Sequence, residues 1–511
     1  MKSALLARRI FANDTHRHHP ILAYIKFLAL LLLCFFTVYA NSLVAQQVIN
    51  TRFFTENKTT VYQHILQQSE KKYLWFDTTG LTLNGVSLNT VLADLGWYEV
   101  VNSNALSEDK YQQHDQRLTL GFLQLININQ HKKPFALASA EAILLTALKE
   151  QSEDELLFSL LPEYDQISHL RKAISYYRHL SASPWPKLDV HFQPRFGQSH
   201  KQVKGIRKIL TLLGDLPVQS QSINRRDIYD SVAVKALKKF QQRHGLVSDG
   251  KLSPDTYATL QISPEQRLKQ LQANLRRWFI LPNQPPDKFL LINIPGYQLS
   301  VIENGLTTLQ MKVIVGDINN QTPLLITQID RITLNPTWTP TVNIINSELI
   351  PSYQQDFLSL QRSHFQLIKG TMSGVETKEI DRPNLNLKKL LRTYRLVQAP
   401  GENNALGYYR FNIPNTKAIY LHDTPVKSLF NQPYRALSHG CVRLQDANLL
   451  ANYLLSFEDD YKKNAMYASL QSGKTIHLPL SNSLAVYITY QTTWFDKQGG
   501  LRFLPDIYGL D

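Results

Sequence analysis

Cysteine is nearly absent: two residues in 511, Cys34 and Cys441. Cys34 lies in the middle of an apolar run near the start of the chain. Everything after that run therefore holds a single thiol, which excludes an internal disulfide and disfavours a structural zinc site. Long Gly, Ser or Gln tracts are missing as well, and hydrophobic residues make up 43% of the chain, so disorder is confined to ends and linkers. Acidic side chains are in deficit, 41 against 55 Lys and Arg, for a formal charge of +14. A basic balance suits nucleic acid, anionic lipid or an acidic wall polymer, or simply a solvated basic surface. Charge does not choose among these.

One strongly apolar stretch without charge stands near the start of the chain. From Phe27 to Ala40 the sequence reads FLALLLLCFFTVYA, and Lys2, Arg8, Arg9, Arg17 and Lys26 precede it against Asp14 alone. Basic residues followed by a short apolar run are the pattern of an export signal, and a membrane span needs roughly 20 apolar residues. Val38-Tyr39-Ala40 offers a cleavage site. Extension of the run to Ala45 also allows an uncleaved inner-membrane anchor. Residues 1–46 are thus expected to act as signal peptide or anchor, which places the rest in the periplasm and sets nucleic acid aside. In an oxidising compartment a lone thiol is a liability, which raises the prior that Cys441 is kept for chemistry.

A chain this long is expected to form two to four domains. Residues 47–200 read as mainly helical, with apolar residues at helical spacing over Leu118–Ile128 and Ala138–Lys149. Residues 201–262 carry a three-helix pattern. Val203, Ile206, Leu210 and Leu213 run up to Gly214; Ala233, Leu237, Phe240 and His244 follow Asp230; and Ser253-Pro254 supplies an N-cap and first-turn proline. Residues 263–286 read as a linking helix ended by prolines. From 287 the texture turns to β, with strands expected at Phe289–Ile294, Gln298–Ile302 and Leu309–Val315 and a hairpin at Asn304-Gly305. Further strands are expected at Arg331–Leu334, Gly407–Phe411, Ala418–Leu421, Leu484–Thr492 and Leu501–Phe503. Residues 346–404, polar and helical-looking, interrupt this pattern as a candidate inserted lid.

The chemistry centres on Ala436-Leu437-Ser438-His439-Gly440-Cys441-Val442-Arg443-Leu444. A thiol becomes a nucleophile near neutral pH when a histidine takes its proton or stabilises its thiolate. His439 lies two residues before the sulfur, and His422 follows the apolar run Ala418–Leu421. Spacing alone does not say which is the base. A buried inert cysteine with structural histidines is the alternative.

His422, fifteen residues, then Ser438-His439-Gly440-Cys441-Val442-Arg443 resembles the active-site signature of the L,D-transpeptidase family. Asn335-Pro336-Thr337-Trp338, Gln321-Thr322-Pro323, Pro400 to Gly407, Tyr420 to Pro425 and Asp506 to Gly509 resemble its large multidomain branch. Ala236 to Gly250 resembles the type-1 peptidoglycan-binding module, although Ser253 stands where that module commonly has a second glycine. The resemblance implies an α+β multidomain protein: a β-rich catalytic domain over 287–511 with a capping subdomain inserted at 346–404, a helical scaffold, and a three-helix wall-binding module. It implies Cys441 as nucleophile and His422 as base, with Ser438, His439, Gly440 and Arg443 in support and Tyr420 and Trp338 lining the substrate cleft. Backbone N–H groups of Gly440 and Cys441 are the expected oxyanion donors. No cofactor or metal is called for. Peptidoglycan stem peptides are the implied partners, as tetrapeptide donor and diamino-acid acceptor. Hydrolysis of the same bond, or a non-catalytic wall-binding scaffold, are the rival readings.

Overall fold

The computed structural model describes residues 58–100, 106–129, 137–218, 227–371 and 374–511. The apolar run expected to direct export lies outside them. No helix among the described residues is long and apolar enough to cross a membrane. The architecture is α+β, as the resemblance implied.

Nine strands form the main sheet: β1 (Lys288–Asn293), β2 (Gln298–Glu303), β3 (Leu306–Gly316), β4 (Leu325–Leu334), β5 (Tyr409–Asn412), β6 (Leu421–His422), β7 (Ala436–Ser438), β8 (Val442–Leu444) and β9 (Ile476–Thr489). Their order is β7-β3-β8-β6-β5-β4-β9-β1-β2, and β2 also pairs with β3, so eight strands close on themselves and β7 lies alongside β3. Closure leaves few free edges. Asn304 and Gly305 both take positive φ at the β2–β3 turn, the conformation an Asn-Gly hairpin favours. Three strands are longer than the sequence suggests, β3 beginning at Leu306, β4 at Leu325 and β9 at Ile476. One is shorter: Ala418 takes φ +54 and pairing starts only at Leu421.

Strand alternation sends side chains to two cores. Leu290, Ile292, Val486 and Ile488 join a cluster with Val313, Val315, Leu334 and Leu421. Phe289, Leu291 and Tyr487 point the other way and join the helical layer through Leu271, Leu275 and Trp278 of the helix Pro264–Trp278. That helix opens with a capping box at Ser263 and is no loose linker. Asn274 accepts from the N–H groups of Thr492 and Thr493, and Arg277 pairs with Asp511 at 2.8 Å.

The three expected module helices are present as Lys201–Leu212, Ser231–Arg243 and Pro254–Gln261, the last two capped by Asp230 and Ser253. Trp185 and Leu188, N-terminal to the expected start, pack into the module core, and Trp185 Nε1 donates to the Leu260 carbonyl at 3.0 Å. Phe503, on the C-terminal hairpin Thr493–Phe495/Leu501–Phe503, rivets module to body. Its ring stacks on His244 at 5.0 Å, carries the Arg267 guanidinium at 4.2 Å, and meets Tyr177 edge-on.

Between β4 and β5 lies the insert. It is less helical than its composition suggests. Short helices surround a three-stranded antiparallel sheet of Phe365–Thr371, Gly374–Lys378 and Arg395–Gln398. Ile350, Tyr353, Phe365, Leu367, Ile380 and Leu396 give it a small core of its own. Trp338 and Gln398 exchange backbone hydrogen bonds of 3.1 and 2.7 Å and clamp its neck.

Candidate active site

β6 runs parallel to β8 with Leu421 opposite Val442 and His422 opposite Arg443. The Val442 N–H reaches the Tyr420 carbonyl at 3.1 Å, which sets Cys441 beside Tyr420. Because side chains alternate, Tyr420, His422, Cys441 and Arg443 share one face. Leu421, Val442 and Leu444 fill the core behind it. Arg410, directly across from His422 on β5, adds a second guanidinium to the same face.

His422 is buried, 5% exposed. Its Nδ1 lies 2.5 Å from the Asp423 carbonyl oxygen, which only accepts, so Nδ1 carries the proton and Nε2 is left with its lone pair. Burial, with the Arg443 guanidinium second, pushes the imidazole down to about 3. The ring is therefore neutral at physiological pH. Burial likewise raises the Cys441 thiol, although the Tyr420 N–H, both arginines and the Tyr420 hydroxyl favour the thiolate. The pair rests as thiol and neutral imidazole, not as an ion pair.

Asp423 fixes the peptide that orients His422. Its carboxylate accepts from the Tyr408 N–H at 3.0 Å and from Lys427 Nζ at 2.5 Å. Gly407, at φ +57, lies against it so closely that a Cβ there would fall 2.4 Å from Asp423 Oδ2. The nucleophile loop is braced from the other side. Thr322 Oγ1 donates to the Gly440 carbonyl at 2.8 Å, while Tyr508 bridges the Thr322 N–H and the Gly316 carbonyl. Segments quoted from five parts of the sequence thus meet around one loop. Gly440 takes φ +108, which a side chain would strain.

The expected supporting residues divide. Ser438 accepts from the Gly440 N–H at 3.2 Å and donates to the Cys441 carbonyl at 2.6 Å, stapling the loop. The Gly440 N–H is thereby engaged, and only the Cys441 N–H lacks an acceptor among the described residues. His439 turns away from His422 and pairs through Nε2 with Glu348 of the insert at 2.6 Å. Tyr420 touches both the Cys441 thiol and Trp338. Its ring meets His422 edge-on at 5.9 Å, and burial pushes its hydroxyl up to about 12. Arg443 Nε and Arg410 Nε are both buried without a hydrogen-bond acceptor among the described residues.

Arg410, Asp423, Thr322, Tyr508 and Glu348 were not among the residues singled out for the site. Arg410 is discoverable only from strand register and Glu348 only from the placement of the insert. Asp423, Thr322 and Tyr508 stood inside quoted strings without a role.

Residues 287–471 match the family profile described as "L,D-transpeptidase catalytic domain", and residues 199–260 the one described as "Putative peptidoglycan binding domain". Among curated proteins, the "Putative L,D-transpeptidase" of Haemophilus influenzae is 34% identical over 250 residues, 49% of this chain and 50% of that one. The chain thus spans about half the length of the curated relative it matches. Among solved structures, an L,D-transpeptidase from Mycobacterium smegmatis is 13% identical, covering 40% of this chain and 60% of that one, with a TM-score of 0.21. One from Stackebrandtia nassauensis is 15% identical, covering 59% and 97%, with the same score of 0.21.

Proposed function

From the premise that residues 287–471 are an L,D-transpeptidase catalytic domain and residues 199–260 a peptidoglycan-binding domain, we propose that the protein cross-links peptidoglycan stem peptides outside the cytoplasm. The observation that carries the reading is the tautomer of His422: a neutral ring with Nε2 bare, on the same face as the only thiol among the described residues.

In this reading Cys441 Sγ attacks the carbonyl carbon of the third stem residue, a diamino acid, and its proton passes to His422 Nε2. The tetrahedral oxyanion takes the free Cys441 N–H. Collapse breaks the amide bond, the proton returns to the departing D-alanine amine, and a thioester remains. The side-chain amine of a second stem's third residue then attacks, loses a proton to His422 and expels the thiol, joining two third-position residues. Arg443 and Arg410, each with an open Nε donor, suit a carboxylate of the stem peptide. The insert caps the cleft, and the Glu348–His439 pair latches it beside the nucleophile loop. A cap excludes water and so favours transfer over hydrolysis.

Incubation with disaccharide-tetrapeptide, read by mass, tests the reading. A dimer lacking one D-alanine is expected. Tripeptide alone would favour the hydrolytic alternative, and no turnover would end the catalytic claim. Glu348→Gln loosens the latch and is expected to raise tripeptide relative to dimer. The pair is half-exposed, a class worth about 0.2–1 kcal/mol, so the ratio should move by at most about fivefold. An unchanged ratio would remove Glu348 from the account.

A further inference from the structure

Away from Cys441, a cleft of about 550 Å³ opens where three parts of the molecule meet: the helix Asp165–Ser181, the module helix Ser231–Arg243, and the hairpin Thr493–Phe503. Its walls are held firmly. Gln166 exchanges two 2.9 Å hydrogen bonds with the Phe495 backbone, fastening the hairpin to the first helix. Arg243 grips Asp215 with three contacts of 2.7–3.0 Å, and Arg502 pairs with Asp496 at 3.0 Å. Both carboxylates of the cleft are therefore already committed to arginines.

The cations left over are two lysines. Lys239 Nζ donates to the Gly214 carbonyl at 3.2 Å and lies in the field of Asp215 without forming an ion pair with it, and Lys172 is exposed with no partner among the described residues. Between them lies aromatic surface. Tyr176 is 47% exposed, its hydroxyl tied to the Leu212 carbonyl, and His169 packs on Phe495 at 5.2 Å. Fixed rings beside uncommitted ammonium groups suit a ligand that carries both sugar faces and carboxylates, and the volume falls in the range of ligand pockets.

We propose that this cleft is a second, non-catalytic site for peptidoglycan, in which Lys172 and Lys239 take carboxylates of a glycopeptide while Tyr176 and His169, the latter backed by the buried Phe495, pack on its sugars. The proposal rests on the wall polymer being the substrate. It gives the module a role different from a tether: module, helical body and C-terminal hairpin together make the site, so a strand bound there is held at a constant place relative to the closed sheet.

The test measures binding of the full chain to purified sacculi, with the Cys441→Ala background preventing turnover. Lys172→Ala/Lys239→Ala is expected to weaken binding about tenfold, the loss of two charge-assisted contacts. Lys172→Arg/Lys239→Arg should restore most of it. Lys110→Ala/Lys149→Ala, exposed on the helical body outside both the cleft and the module, should leave it unchanged, and sacculi with amidated carboxylates should bind the unsubstituted chain about as weakly as the alanine variant binds native ones. Equal weakening by both alanine pairs would mean a generic basic surface and would overturn the site, as would no weakening by the cleft pair with the melting midpoint preserved. Turnover of soluble disaccharide-tetrapeptide by the wild type is scored separately. Turnover with a failed cleft test removes this inference alone, whereas absent turnover removes the reading beneath it.

Discussion

Cys441→Ala is expected to lower turnover of disaccharide-tetrapeptide by at least about 10³-fold, because the nucleophile of a covalent mechanism has no substitute. The same change should abolish the mass increase expected when the wild-type chain is treated with a carbapenem. Cys441 is the free thiol among the described residues, so the adduct maps to it directly. Burial raises this thiol, and it donates weakly to the Ala418 carbonyl at 3.9 Å. Reaction then requires proton transfer along with attack. A simple alkylating reagent that cannot engage the site should therefore modify Cys441 slowly at neutral pH, while a carbapenem modifies it quickly. An adduct retained in Cys441→Ala, or residual turnover within tenfold of wild type, would place the chemistry elsewhere.

His422→Ala should cost about 10²–10⁴-fold in kcat/KM, the usual range for a positioned general base. The pH profile gives the sharper result. Burial and Arg443 push the imidazole down to about 3, so its conjugate acid is disfavoured and the basic form persists well below an ordinary histidine's range. As pH falls through 6.5 the ring stays neutral. kcat/KM, which reports the free enzyme, should show no acid limb from this group until the pH approaches its lowered value. An acid limb centred near 6.5 that disappears in His422→Ala would show that the ring titrates normally and that water reaches it. His439 offers an internal contrast. It pairs with Glu348 at 2.6 Å on the insert side, and His439→Ala should disturb product ratio more than the chemical step.

Local signals were legible where neighbouring residues decide them. Asn304-Gly305 turns, and Asp230 and Ser253 cap, because each is satisfied within four residues. The run Ala418–Leu421 reads as strand by composition, yet Asn415 accepts from the Ile419 N–H and donates to the Ile419 carbonyl, holding a turn that delays pairing to Leu421. The insert misleads for a similar reason. Its strands are short, and three of the five residues of Gly374–Lys378 are polar or charged, which alternation cannot separate from a helix surface. The nine-strand order was not legible at all, since β6 and β8 are two and three residues long and find their partners only in register with β5 and β3.

What the sequence by itself determined is the chemical cast: one thiol set in Ser438-His439-Gly440-Cys441-Val442-Arg443 and two histidines within reach of it. Those are properties of contiguous residues. What only the tertiary structure decided is direction. His422 donates its Nδ1–H to the Asp423 carbonyl, His439 turns to Glu348 some ninety residues upstream, and Tyr508 braces Thr322 under the nucleophile loop. The physical reason is that strand side chains alternate, so a one-residue change of register would turn His422 and Arg443 into the core, and register is set by distant partners in the closed sheet, while the loops that carry His439, Thr322 and Tyr508 are placed by contacts far along the chain.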